Sequence, residues 1–276
     1  MVALFGGQDQ AARRACSRLG ADCVAAGLPP ARARRARSCF RTIGFGRSPA
    51  DSATLVELAA VLARLEPRVR ARDVYVPLAV GGHIDHRLAH EAALQTLGGE
   101  PGRNVYLYEE RPEAFVPGAV RVRLGLLGAR LPAGATGAAR GTGLARYLLG
   151  VHQPPALRGD LRGWSDRLGS FGPAAWEWRS ARAWNPQKAF GPRLQPLLHS
   201  SDASTQAAIP ELWNELLPPD GSRLRSPNRI QALTRAYAQA LGAEAYAERY
   251  WLLLPALDRT TEPTFPEAAL DAVGAR

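Results

Sequence analysis

The stretch Asp73-Val-Tyr-Val-Pro-Leu-Ala-Val80, Gly81-Gly82 and the Ala, Leu and Glu-rich run that follows to Leu97 constrain this chain more than any other part of it. β-branched, aromatic and apolar residues over 73–80 read as a buried strand, with Pro77 marking a point where it frays or bulges. Gly81-Gly82 turns the chain, and Asp85 to about Leu97 reads as a helix stopped by Gly98-Gly99. Asn104-Val-Tyr-Leu-Tyr108 is a further strand. Strand, helix, strand in this order is a βαβ unit, and it implies an α/β fold built on a parallel sheet.

The flanking sequence extends that pattern. Met1-Val-Ala-Leu-Phe5 reads as a short strand closed by Gly6-Gly7, and Gln10–Leu19 as a helix ended by Gly20. Over residues 51–65, Leu55, Leu58, Leu62 and Leu65 recur at helical spacing, with Asp51 or Ser52 as the N-cap and Pro67 beyond the end. The expected architecture is a Rossmann-like, mostly parallel sheet flanked by helices. Its α/β core spans residues 1–117. Residues 118–225 form an irregular insertion rich in Gly, Pro and Trp, and residues 226–276 supply C-terminal helices, over about 227–241 and 243–254, that pack back on the core.

With 276 residues, 46% hydrophobic and 22% charged, the chain can bury a proper core. It shows no bilayer-length apolar run and no signal-peptide layout, so a cytoplasmic protein without a membrane partner is expected. Cys16, Cys23 and Cys39 form no Cys-x-x-Cys pair and read as reduced thiols. The net charge of +10 raises nucleic acid as a partner. Lys188 is the sole lysine, however, and the excess of Arg, Ala, Gly and Pro is what GC-rich codons of a bacterial genome favour. The run Ala31-Arg-Ala-Arg-Arg-Ala-Arg37 lacks the interleaved aromatics that stack bases. It reads as a solvated helical face, with anion binding as the alternative.

Chemistry concentrates at His83, Asp85 and His86, where the strand hands over to the helix. Open α/β sheets bind ligands at the carboxyl ends of their strands. Imidazole is a good zinc ligand, and a neighbouring carboxylate can orient the ring. His90, one turn further on, reads as a surface or supporting residue. The plainer alternative makes Asp85 the helix N-cap with both histidines solvated. Trp164, Trp176, Trp178 and Trp184 either fill a satellite core or offer indole faces to sugar rings.

The stretch Val74–Leu94, with its Gly82-His83-Ile-Asp85-His86 core, resembles the second motif of the PIG-L (LmbE-like) de-N-acetylase family. Ala12–Gly20, Tyr106-Leu-Tyr-Glu-Glu-Arg-Pro112 and Ala245-Tyr-Ala-Glu-Arg-Tyr-Trp251 resemble, in order, the family's Arg-Leu-Gly helix, its Tyr-Glu-x-x-Pro segment and its closing helix. The resemblance implies a zinc-dependent hydrolase that removes an acetyl group from an N-acetylated sugar or amino-sugar conjugate. His86 would be the Zn2+ ligand, His83 the oxyanion or leaving-amine partner, and Asp85 the residue that holds its neighbours.

The family's first motif, His-Pro-Asp-Asp-Glu, has no counterpart. No histidine precedes His83, and Asp9 is the early carboxylate nearest a strand end. The chain reads as though the first strand and helix were lacking, which makes an inactive or truncated copy an expectation beside the hydrolase. A carbohydrate-binding relative without catalysis and an arginine-rich nucleic-acid binder are the competing readings.

Overall fold

A computed structural model describes residues 1–5, 10–34, 48–111, 113–133, 135, 143–145, 147, 175–200, 227–243 and 246–255. The chain is α/β, with mixed sheets flanked by helices. Strand β1 (Val2–Phe5) leads into α1 (Gln10–Arg18) and β2 (Asp22–Ala25), and β1 and β2 pair in parallel as a two-stranded sheet. A short helix α2 (Ala31–Arg34) and a long helix α3 (Pro49–Val69) follow. The central unit is β3 (Asp73–Pro77), α4 (Ile84–Leu97) and β4 (Asn104–Tyr108), then α5 (Ala119–Leu126). Strand β5 (Arg193–Ser200), α6 (Pro227–Ala240) and β6 (Ala247–Leu254) complete the described elements.

Strands β3, β4, β6 and β5 lie side by side in that order. β3 and β4 are parallel, whereas β6 runs antiparallel to both β4 and β5. The parallel sheet foreseen from the βαβ pattern therefore holds for β1–β2 and β3–β4, and the remainder of the four-stranded sheet is antiparallel. Of the segment expected as a helix over about 243–254, residues Ala247–Leu254 form β6. Its alternation is plain once paired: Ala247, Arg249 and Trp251 turn inward and are buried, while Glu248, Tyr250 and Leu252 take the opposite face.

The main core fills the inward side of this sheet. Val76, Val105, Leu107, Leu194 and Trp251 meet Ala93 of α4 and Val120, Val122 and Leu124 of α5. A second cluster joins α3 to α4 through Leu55, Leu58, Ile84, Leu88 and Ala92. Each of its large side chains stabilises the seam by about 2 kcal/mol. That seam fixes where the N-terminus of α4, and with it the histidine motif, sits.

Local chemistry sets the helix ends. Ser48, rather than Asp51 or Ser52, is the N-cap of α3; its Oγ accepts from the Asp51 backbone N–H at 3.2 Å and Asp51 Oδ2 accepts from the Ser48 N–H at 2.9 Å. This reciprocal box satisfies two of the orphan donors of a helix start. Pro67 lies inside the last turn rather than beyond it, and Arg70 closes the helix in the left-handed region. Strand β3 stops at Pro77, three residues short of the expected Val80. Residues 118–126, expected as irregular, contain α5, and β5 also falls within the 118–225 stretch.

Candidate active site

Leaving β3, the chain dives through Leu78, Ala79 and Val80, all fully buried. A buried loop must find partners for its backbone polar groups or lose their hydration uncompensated. Here side chains provide them. The Glu110 carboxylate accepts from the Ala79 N–H at 2.6 Å and the Val80 N–H at 3.0 Å. His90 Nδ1 meets the Pro77 carbonyl at 2.8 Å, and Arg123 Nε donates to the Leu78 carbonyl at 2.8 Å. Ala79 sits at φ 65° in the left-handed region, a strained position for a residue with a Cβ, and the glycine pair that follows also has positive φ.

This clamp presents the motif. His83 is the N-cap of α4, and its Nδ1 accepts from the Asp85 backbone N–H at 3.2 Å. The ring therefore carries its proton on Nε2 when neutral. Burial and the neighbouring His86 push its pKa below the ordinary histidine value. The His83 and His86 ring centroids are 5.1 Å apart. Burial alone would lower His86 too, but the carboxylates around it, Glu110 at 3.3 Å from His86 Nδ1 and then Glu113 and Asp85, together raise the pKa. The two imidazoles thus diverge: His83 is held neutral and His86 is drawn towards the imidazolium.

Asp85 does something else. Its Oδ2 accepts from the Ala31 N–H at 3.1 Å, and its Oδ1 receives Arg34 Nη2 at 2.6 Å. Arg34 also donates through Nε to Asp51 at 3.0 Å. Arg34 and Asp51 are both almost wholly buried. The arginine therefore bridges the N-termini of α3 and α4, and Asp85 anchors the motif to α2 instead of capping its own helix. Arg34 belongs to the run read as a solvated face; at this position the reading is wrong, because the guanidinium is consumed internally. Arg35 and Arg37 lie outside the described residues. His90 is likewise buried rather than superficial, with Nε2 lacking a hydrogen-bond partner among the described residues. Burial and Arg123 lower its pKa to about 4.

In front of His86 opens a cleft of about 450 Å³ lined by Glu109, Glu110, Arg111, Glu248 and Arg249, with Tyr75, Tyr108, Tyr237 and Tyr250. The tandem Glu109-Glu110 at the end of β4 divides the work. Glu110 faces the histidine, while Glu109 Oε1 accepts from Arg249 Nε at 2.6 Å and Trp251 Nε1 at 2.7 Å. Glu109 also accepts the Tyr237 hydroxyl. Arg111 donates to the Tyr246 hydroxyl at 2.7 Å and lies over the rings of Phe115, Tyr237 and Tyr246. In the sequence, Glu109 and Glu110 stand out only as part of the Tyr106–Pro112 resemblance. Their spacing carried no local signal of what each would touch.

No family model matches this sequence, and no curated protein is significantly similar to it. Among solved structures it is similar in fold to the A40926 pseudoaglycone deacetylase Dbv21 (13% identity, TM-score 0.46, covering 94% of this chain and 87% of that one). It is also similar to a deacetylase of the teicoplanin biosynthesis pathway (14%, TM-score 0.42, 90% and 73%) and to the zinc-inhibited form of teicoplanin deacetylase Orf2 (16%, TM-score 0.40, 90% and 74%). At these identities the chemistry of the site rests on its own residues.

Those residues can be asked whether they suit zinc. A catalytic zinc takes three protein ligands and keeps one position for water. Among the described residues no three His, Cys, Asp or Glu side chains converge as such a group. Asp85 is turned to Arg34 and Ala31, and both Glu110 oxygens are engaged by backbone N–H groups. His86 is the motif's donor left facing the cleft. The described set does not fit a complete zinc site. Asp9, the early carboxylate considered as a substitute ligand, lies outside the described residues, as do Cys39 and Trp164. Cys16 and Cys23 are free thiols. Of the tryptophans considered for sugar contact, Trp184 is buried in the core with its indole N–H on the Ala129 carbonyl at 2.9 Å, and Trp176 is exposed. No helix among the described residues is long and apolar enough to cross a membrane.

Proposed function

We propose that this chain is a PIG-L-like protein of the amide-hydrolase type whose cleft takes an N-acetylated sugar or amino-sugar conjugate. The observation that carries the reading is the divergence of the two motif imidazoles. Amide hydrolysis develops negative charge on the carbonyl oxygen and needs a proton at the departing nitrogen. His83, neutral with its proton on Nε2, is suited to donate a hydrogen bond to that oxygen. His86, held by Glu110 and drawn towards the imidazolium, is suited to give its Nε2 proton to the amine. Asp85 positions both by fixing the start of α4. Zinc, where the family binds one, would polarise the carbonyl and activate water; the described residues form no complete set for it, and His86 in its imidazolium form has no lone pair to offer a metal.

The test is acetate release from N-acetylglucosamine conjugates, measured with and without added zinc and set against free-amine formation. His86→Ala should lower turnover at least about a hundredfold. Equal turnover in wild type and His86→Ala would end the reading.

One observation favours a second reading, a sugar-binding relative without catalysis. Asp85, Glu109 and Glu110 are each committed to protein donors, so none stands ready to take a proton from attacking water. Saturable sugar binding by calorimetry, with no acetate released at any zinc concentration, would select it. The nucleic-acid reading gains no support from the structure at Arg34, the residue of the basic run whose guanidinium is buried.

A further inference from the structure

The outward face of the four-stranded sheet carries an aromatic surface. Register places Tyr75 beside Tyr106, and Tyr108 beside Tyr250. Tyr75 stacks on Tyr106 with centroids 5.0 Å apart and 19° between planes, and meets Tyr250 edge-on at 5.5 Å. Tyr75 is nevertheless 58% exposed, and Tyr108 is 37% exposed. Packed tyrosines that still show this much ring to solvent leave a face for something else to cover. Three of them, Tyr75, Tyr108 and Tyr250, line the same cleft as His86. The cleft is polar at its rim: the Glu248 carboxylate accepts the hydroxyls of Tyr246 (at 2.8 Å) and Tyr250, and Arg111 lies 3.7 Å from it.

We propose that Tyr75, with Tyr108 and Tyr250, forms a second sugar-ring subsite that receives the pyranose next to the one presented to His86. The inference rests on the sugar-conjugate reading above and sharpens it, since it requires a ligand of at least two rings. A pyranose matches the surface on both counts. Its axial C–H groups pack on an aromatic face, and its equatorial hydroxyls reach outward to charged hydrogen-bonding groups such as Glu248. The rings of Tyr106 and Tyr250 hold Tyr75 in place, so little rotamer freedom remains to be lost on binding. A purely apolar ligand would leave the Glu248 rim without a purpose.

The probes are N-acetylglucosamine and N,N′-diacetylchitobiose, titrated calorimetrically into the full chain. Wild type should bind the disaccharide about tenfold more tightly than the monosaccharide, the scale expected of one ring stacked on an aromatic face. Tyr75→Ala should remove that gain, so that the variant binds the two sugars with affinities within about twofold of each other. Tyr75→Trp should keep it, which guards against an effect of misfolding in the alanine variant. Equal affinity of wild type for both sugars would overturn the subsite while leaving the sugar-conjugate reading intact. Equal loss of both sugars in a folded Tyr75→Ala protein would do the same. Failure of either sugar to bind wild type would instead overturn the sugar-conjugate reading itself. A concentration-dependent dimer in sedimentation that Tyr75→Ala dissolves would assign the face to a second copy of the chain and overturn the proposal.

Discussion

His90 makes the fold sensitive to mild acid in a way that can be isolated. Its side chain is buried, donates through Nδ1 to the Pro77 carbonyl at 2.8 Å, and has a pKa lowered to about 4 by burial and by Arg123. An unfolded chain returns this imidazole to an ordinary value near 6.5. Between those values the unfolded state binds more protons than the folded one, so stability rises with pH there and is lost as pH falls. The His90 contribution is fully present above about pH 6.5, declines by about 2 kcal/mol at pH 5, and levels off below pH 4 at a loss of about 3 kcal/mol. His90→Asn preserves a donor near the Nδ1 position but cannot titrate. It should be less stable than wild type at pH 7.5 by about 1–2 kcal/mol through lost packing, with a flatter decline towards acid. Urea unfolding followed by tryptophan fluorescence between pH 7.5 and 4.5 gives both curves, and their difference removes the other titrating groups. Parallel curves would refute the reasoning, because they would show that His90 is protonated in the folded state as readily as in the unfolded one.

Other expected outcomes follow from neighbouring contacts. Arg34→Met takes the guanidinium away from two carboxylates, one of them fully buried, and should cost about 3–5 kcal/mol in urea unfolding, with Arg34→Lys recovering only part because an ammonium cannot fork between Asp51 and Asp85. Gly81→Ala would hold a Cβ at φ 77° and 2.8 Å from Glu113 Cγ, and should lower stability by about 1–3 kcal/mol in thermal unfolding. Glu110→Gln removes the strongest of the carboxylates that raise the His86 pKa and leaves burial opposed only by Glu113 and Asp85, so imidazole NMR titration should place His86 lower in the variant than in wild type.

The βαβ unit from Asp73 to Tyr108 was legible because strand, glycine turn and helix are each written in local pattern. β6 was not. Ala, Glu, Arg and Leu over 243–254 are good helix formers, and the period-2 alternation is disguised by Arg249 at an inward position. That arginine is inward because Glu109, some 140 residues earlier, receives it at 2.6 Å. The decision between helix and strand was therefore made by a partner that no local window contains.

The site shows the same division. His83, Asp85 and His86 stood out by spacing, and the structure brings all three to the start of α4. What each one does is decided from outside the motif. Glu110 draws His86 towards its charged form only because the buried backbone of Ala79 and Val80 fixes that carboxylate in place. Asp85 answers to Arg34, which sequence pattern assigned to the surface because six neighbours in its run are also Arg or Ala. An arginine within such a run looks the same whether it faces water or two carboxylates, and only the seam between α3 and α4 distinguishes them. The histidine motif thus marks where chemistry is possible. The side chains that hold a buried, strained loop in place set which protonation states it offers.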